Sequence, residues 1–507
     1  MTGEKEYRDV FELEDVPAFR EFYNFSILPA KYIYRGLYTP WHVIPAPTIK
    51  DADAKRTLFR LNMGKAVCSE LAGLIWSEGV KIDINNETLQ AFVEKVLKEN
   101  NLATKMQEHI EQAAALGGGA LKEYVKFKRE NGEPVPGTER IVIDYCMADQ
   151  FVPTAWDNAS VTEGVFVTRK AKNGYYYTRL EWHKWNGDTY IVSNDLYRAP
   201  MKNGAGENQD ILGVIYPLSY MYPSLQPVTK IENLEKSLFS YYRTPIANNV
   251  DDNSPLGVSM YGNAFDTLHA LDICFDSFVR EFRLGKKRII VPASAVRTVV
   301  EPGTGLIRRY FDANDESYEA LATDDPDSLK VIDNSIELRV EEHTAAINAL
   351  LSVLCLQVGF SAGTFTFNGH DGVKTATEVI SENSKTYKTI RNFQQQIIPA
   401  IEDVCRNIIA LGALYNMEFD GKRIADLAGD YEIAVSMEDA VLEDTNTKYD
   451  KAIKLVSAGL ISKHTALTDP AYGLCYTEEN AEAELKRIAS ESPVNAFVVD
   501  RFSTTGE

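Results

Sequence analysis

Residues 259–292 read SMYGNAFDTLHALDICFDSFVREFRLGKKRIIVP. From about Asn263 to Leu284 the run has neither Gly nor Pro, and at 1.5 Å per residue it predicts a helix of roughly 33 Å. Gly285 stops it. A basic, strand-like run, KKRIIVP, follows at once, then EPGTG, LIRRYFD and the acidic ATDDPDS. A second helical run, ELRVEEHTAAINALLSVLCLQV, spans about Glu337 to Val358. Two long helices therefore flank a compact mixed insert over residues 286–336.

The chain on either side has its own character. After the second helix comes GTFTFNGHDGVKTATEV, residues 363–379, a glycine-bearing loop. A helix is then expected from about Thr375 to Tyr415. Its apolar residues Tyr387, Ile390, Ile397, Ile401, Val404, Ile408 and Leu411 mostly step by three and four. Pro399 lies inside this pattern and predicts a kink, because it removes one backbone donor. Residues 419–438 read as a short strand pair, residues 445–490 as helical segments, and 493–507 as a loose end.

Upstream, residues 1–50 mix aromatics with Pro40, Pro45 and Pro47 and read as an extended arm with short helices. Residues 53–77 read as a buried-face helix, and residues 86–127 as two more. The second of these ends in LGGGALKEYV, where Gly117 to Gly119 let the chain turn into a strand. Residues 139–230 are rich in Tyr, Val, Ile and Trp and read as antiparallel strands, with hairpin turns at Asn173-Gly174 and Asn186-Gly187. The fold class is α+β.

The 507 residues exceed a single core, so several subdomains are expected. Hydrophobic content of 45% and charged content of 25% are those of a folded globular chain. No apolar run is long enough to span a membrane, and the N-terminus, MTGEKEYRDVFELED, is too acidic for a signal peptide. Six scattered Cys without CxxC or CxH spacing argue against zinc and against a disulfide framework. The net charge of −20 excludes non-specific coating of nucleic acid, which needs a cationic surface.

Signatures of chemistry are missing. The seven His form no HExxH or HxH pair, and the chain has no P-loop, GxGxxG or GxSxG. DDPDSLK, at 324–330, is the nearest approach to a metal-nuclease pattern, but no flanking strands fix it, so it reads as an acidic turn. His370 and Asp371 are adjacent and lack a third reacting group, so they do not make a dyad. No cofactor and no metal are expected, and the chain reads as a non-enzyme.

The order of parts resembles the portal proteins of tailed bacteriophages, in particular those of long-tailed phages of Gram-positive bacteria. The resemblance covers nearly the whole chain. It rests on GKAVCSELAGLIWSEGVKI, on AAALGGGALKEYV, on the β region, on the opening stretch as a first stem helix entering the clip, and on ELRVEEHTAAINALLSVLCLQVGF as a second stem helix. GTFTFNGHDGVKTATEV sits where the family has its tunnel loop, and SENSKTYKTIRNFQQQIIPAIEDVC resembles the long kinked wing helix. The implied parts are a wing (1–262), a first stem helix (263–284), a small α/β clip (285–336), a second stem helix (337–360), a tunnel loop (361–376), the kinked helix with the remaining wing (377–440), a helical crown (441–492) and a tail (493–507).

The resemblance implies a ring, usually of twelve copies, at one capsid vertex, a channel through which double-stranded DNA passes without sequence specificity. Implied partners are the terminase large subunit, then head-completion or adaptor proteins, and the major capsid and scaffolding proteins. No membrane is implied. The channel-lining candidates are Thr364, Phe365, Thr366, Phe367, Asn368, His370 and Lys374. Lys286, Lys287, Arg288, Arg308 and Arg309 concentrate positive charge in the clip, as a docking surface, a DNA contact or plain strand-edge charge. Glu337, Arg339, Glu341 and Glu342 on one stem helix, and Asp272, Asp276, Arg280, Glu281 and Arg283 on the other, read as faces that pair between copies or as solvated faces. Twelve copies would carry about −240, a field that disfavours sticking to DNA. Two other readings stay open: a tail or baseplate component, and a metal-dependent DNA-processing enzyme.

Overall fold

The computed structural model describes residues 5–6, 20–47, 51–77, 79–130, 133–158, 160–201, 211–285, 289–290, 297–300, 307–310, 332–333, 337–367, 376–437, 445–469, 472 and 478–491. The helices used below are α1 (Leu28–Tyr34), α2 (Met63–Trp76), α3 (Glu87–Glu99), α4 (Leu102–Leu116), α5 (Phe265–Leu284), α6 (Val340–Val358) and α7 (Ala376–Leu414). The strands are β1 (Val43–Pro45), β2 (Lys55–Thr57), β3 (Lys81–Ile84), β4 (Gly118–Lys126), β5 (Arg140–Met147), β6 (Phe151–Asp157), β7 (Ser160–Lys172), β8 (Tyr175–Asn186), β9 (Thr189–Pro200), β10 (Ile211–Tyr216), β11 (Val228–Ile231), β12 (Phe239–Arg243) and β13 (Ile433–Ser436).

A three-stranded sheet, in the order β12-β4-β5, lies at the centre. Period-two alternation along β4 assigns its two faces. Leu121 and Glu123 face the helices, where Asn407 of α7 donates to Glu123 Oε2 at 2.8 Å. Ala120 and Lys122 face a seven-stranded sheet, where Ala120 packs with Phe151, Phe166 and Phe239, and Lys122 meets Glu181 of β8 at 2.7 Å. Layers of helices, small sheet and large sheet result. The apolar spacing expected for the long helix is realised: Tyr387, Ile390, Ile397, Ile401, Val404, Ile408 and Leu411 are all buried. Burial of each such side chain contributes about 1.5–3 kcal/mol. Pro399 sits within α7.

The turn from α4 into β4 needs glycine. Gly117 has φ +98°, and a Cβ there would lie 2.2 Å from the Gly257 carbonyl oxygen. The β7–β8 hairpin turns on Asn173 and Gly174, both left-handed at +50° and +76°. At the next hairpin Asn186 still pairs with Thr189, so the loop is Gly187-Asp188, one residue later than the sequence suggests.

Other expectations are corrected. The segment from residue 20 is packed rather than extended: Phe22, Tyr23, Ile27, Ala30 and Ile33 join the main core. The helix expected over 53–77 begins only at Met63, because residues 55–57 pair as β2 with β1. Residues 419–438 are not one strand pair. Glu418–Phe419 and Lys422–Arg423 form a tight hairpin, whereas β13 pairs with β3, about 350 residues away in sequence. Local pattern cannot foresee such a long-range pairing. The second of the two flanking helices starts at Val340, three residues late. Of the insert between them, two small antiparallel pairs are described, Ile289–Ile290 with Ile332–Asp333, and Arg297–Val300 with Ile307–Tyr310. DDPDSLK lies outside the described residues, as does Cys475. The other five cysteines are free thiols, three of them buried.

Two buried titratable groups oppose each other in pH dependence. His109 of α4 donates from Nε2 to the Cys146 carbonyl at 3.0 Å and accepts from the Tyr242 hydroxyl at 2.8 Å. Burial pushes its pKa from 6.5 down to about 4. Over that range the unfolded chain takes up a proton that the folded chain refuses, so acidification costs stability. Burial pushes Glu123 the other way, to about 8. Its Oε1 has no partner. Between pH 4.5 and about 8 the folded chain keeps a proton that the unfolded chain loses, so stability falls as pH rises. Glu123→Gln is therefore expected to gain on wild type by roughly 1 kcal/mol per pH unit across that range in urea titrations. A gap that does not change with pH would mean that Glu123 is ionised.

Candidate functional site

Helices α5 and α6 run antiparallel. At one end Arg339, just before α6, donates to both carboxylate oxygens of Glu281 at 3.1 and 3.0 Å. This pair holds the Glu281 carboxyl below its usual range. Phe278 sits edge-on to Phe282 and to the His343 ring, so His343 lies between the helices.

The buried stripe of α5 carries two aspartates beside Leu268 and Leu271. A carboxylate buried on an apolar stripe demands partners. Residues 41–61 supply them as a clasp along the helix. Trp41 stacks on His269, with ring centroids 4.9 Å apart. His42 Nδ1 accepts from the Tyr38 amide at 2.8 Å, so its proton is on Nε2, which donates to Asp272 at 3.0 Å. Burial lowers the His42 pKa, keeping the ring neutral. Asp272 also accepts from the Leu61 amide at 2.8 Å. Asp276 takes both Arg56 guanidinium nitrogens at 2.8 Å and the Phe59 amide at 3.1 Å. The Arg56 bond holds the Asp276 carboxyl below its usual range. Asp272 and Asp276 are thus satisfied within one chain, which corrects their assignment to a face that pairs with other copies or with solvent. The signal was present in the sequence: the two lie four residues apart, at the border of the apolar stripe.

Helix α6 is charged only in its first turn. From Thr344 to Val358 it has no charged residue. Ala345, Ala346, Ala349, Ser352, Val353 and Leu356 are exposed and fall within one arc of the helix at 100° per residue. Val353 is 43% and Leu356 57% exposed.

The far end of α6 is fastened to α7. Gly359 is left-handed at φ +86°, and a Cβ there would lie 2.7 Å from Thr389 Oγ1. That hydroxyl donates to the Gly359 carbonyl at 2.7 Å. Ser361 and Thr386 exchange two further bonds. The loop then doubles back along α6. The Thr364 hydroxyl donates to the Ser361 carbonyl, the half-buried Phe365 packs edge-on against the fully buried Phe360, and the Phe367 amide donates to Asn348 Oδ1 at 2.8 Å. Phe367 also lies 6.4 Å from Phe278. Of the loop candidates, Thr366 and Phe367 are exposed, Thr364 is half-buried, and Phe365 points inward. Asn368, His370 and Lys374 lie outside the described residues, as do Lys286, Lys287 and Arg288. Arg308 and Arg309 lie on the Ile307–Tyr310 strand. Among the described residues, no three His, Cys, Asp or Glu side chains are grouped to hold a metal ion, and no helix is long and apolar enough to cross a membrane.

A family model described as phage portal protein, SPP1 Gp6-like, matches residues 30–493. Among solved structures, the chain is similar to one from the neck of an empty GTA particle computed with C6 symmetry. The identity is 13% and the TM-score 0.43, over 82% of this chain and 90% of that one. It is also similar to a chain of the virion of a native gene transfer agent particle, at 12% identity and a TM-score of 0.38, with the same coverage. No curated protein matches.

Proposed function

The chain belongs to the phage portal protein family, SPP1 Gp6-like, and from that premise we propose that copies of it close into a ring at one capsid vertex, with an axial channel for DNA. The α+β architecture is the portal fold. In this reading α5 and α6 are the stem, residues 285–336 the clip, 361–376 the tunnel loop and 441–492 the crown. Residues 1–262, with most of 377–440, form the wing, and Pro399 marks the bend in its long helix. The ring, of twelve copies, passes double-stranded DNA without reading sequence. The terminase large subunit docks at the clip first and head-completion or adaptor proteins follow, with Lys286, Lys287, Arg288, Arg308 and Arg309 as the clip's cationic contacts. The major capsid and scaffolding proteins meet the wing. The role is structural, not enzymatic, and the protein resides in the virion after assembly in the host cytoplasm.

The bare arc on α6 carries the ring reading. Small and apolar side chains in one exposed arc are suited to a close helix neighbour, and a second copy supplies one by symmetry. A net charge of −20 per copy supports passage without gripping. Electron microscopy of the purified protein tests this. Closed rings with a central channel are expected. A monomer in every buffer, with metal-dependent DNA cleavage, would overturn it in favour of an enzyme.

The loop gives a second test. Deleting residues 363–372 is expected to leave rings intact while reducing DNA packaging or retention. Packaging at the wild-type level would remove this loop from the channel wall. Deleting only 368–374 spares the Phe360–Phe365 contact and separates loss of the tip from loss of packing.

A further inference from the structure

Two contacts fix the relative heights of α5 and α6: Arg339 meets Glu281, and His343 meets Phe278. The helices are antiparallel, so each step back along α5 is matched by a step forward along α6. Arg280 therefore stands level with Glu341, His269 with Ser352, and Phe265 with Leu356. The pair has two opposite flanks. At 100° per residue, Asp272 and Asp276 lie on the side of α5 turned away from Phe278 and Glu281, so the clasp covers the flank of α5 remote from α6. On α6, Ala345, Ala349, Ser352 and Leu356 turn away from His343, so the bare arc makes the other flank.

The two flanks complement each other level by level. On the clasp flank Trp41 stacks on His269 and stands edge-on to Phe265 at 6.0 Å, and all three rings are half-buried. Ile273, one turn on from His269, is 46% exposed. Further along, the Arg283 guanidinium lies over the Phe59 ring at 5.8 Å, and Arg280 is exposed one turn back. On the α6 flank, level with these arginines, Glu341 and Glu342 are exposed. None of the four charges forms an ion pair among the described residues. One flank is thus cationic where the other is anionic, and aromatic where the other carries Val353 and Leu356.

We propose that the clasped flank of α5 is the socket for α6 of a second copy of this chain. Glu341 and Glu342 of one copy meet Arg280 and Arg283 of the next, and Leu356 of the first seats on the next copy's Trp41, His269 and Phe265 rings. The inference rests on the ring reading, with the channel axis along the two helices, because rotation about that axis keeps every level. A ring needs two different flanks that fit one another, whereas a patch that fits itself closes a dimer. The small side chains Ala345 and Ala349 let the helix come close. Apolar contact supplies adhesion, and the charges select the flank and its register. The clasp then has two roles: it satisfies Asp272 and Asp276, and it presents Trp41 and Phe59 to the neighbour.

The test uses the full chain, with light scattering over a concentration series and electron microscopy. R280E/R283E and E341R/E342R each set like charges at every contact between copies. Each is expected to raise the concentration for half-assembly by about tenfold or more. All four side chains are exposed, so circular dichroism and the melting temperature of the single chain should match wild type. R280Q/R283Q should shift assembly less, and Ile273→Glu should weaken it from the apolar part of the socket. Combining all four reversals in one chain restores opposite charges at each contact and should restore rings. Rings at wild-type concentration in both reversed variants, or a combined variant that assembles no better than either, would overturn this inference and leave the ring reading standing. A wild type that forms no rings would overturn the ring reading and this inference with it.

Discussion

Replacing Asp276 by Ala is expected to lower the unfolding free energy by about 3–5 kcal/mol, the range for breaking a buried ion pair by removing one partner. The Asp276 side chain is 5% exposed. It holds both guanidinium nitrogens of Arg56 and the Phe59 amide. Alanine leaves a partly buried cation and a peptide N–H without their acceptor. Asp276→Asn keeps an acceptor for Phe59 but loses the charge, and an intermediate loss is expected. The carboxyl lies below its usual range in the folded chain, so its contribution is present above the ordinary carboxylate pKa and lost as pH falls through the folded value. Urea titrations of both variants, and a cycle with Arg56→Ala, measure this. The cycle should be strongly non-additive. A loss below about 0.5 kcal/mol, typical of surface positions, would mean that residues 41–61 do not clasp α5.

Introducing Glu at both Val353 and Leu356 is expected to abolish ring formation while leaving the single chain as stable as wild type. Both positions are exposed, so neither substitution disturbs the core. In a symmetric ring every contact between copies would receive the new carboxylates, and like charges desolvated together cost several kcal/mol per contact. Light scattering should show monomers, with an unchanged melting temperature. Rings of normal size would show that this arc of α6 faces solvent or the channel rather than a neighbouring copy.

The elements that bury one face against a continuous core were legible. Helix α7 appears where its three-and-four spacing places it, α5 where the run lacks Gly and Pro, and the β region where Tyr, Val, Ile and Trp are abundant. The Asn173-Gly174 turn was legible because only such residues take two successive left-handed conformations cheaply. The short helices expected near the start of the chain are present over residues 20–34, but their packing into the main core was not foreseen, because the side chains they meet lie outside any local window. Residues 55–57 were misread because their strand partner is β1, outside any local window. Within the site, the two helices lie within a few residues of where they were expected, but the charges on α5 were assigned to the wrong neighbours. A helical wheel shows that Asp272 and Asp276 border an apolar stripe. It does not show that His42, Arg56, Phe59 and Leu61 come from more than 200 residues away to meet them.

The sequence by itself determined the class of fold, the order of its parts, the lack of recognisable catalytic signatures and the acidic surface. These follow from local periodicity, turn chemistry and composition, which need no knowledge of distant contacts. Only the tertiary structure decided that β13 closes on β3, that the first half of the glycine-bearing loop is pinned along α6, and that the aspartates of α5 are consumed by a clasp. Each of these is a pairing between segments far apart in sequence. Which buried donor meets which acceptor is set by the packing of the whole chain, and no window of the sequence contains both partners.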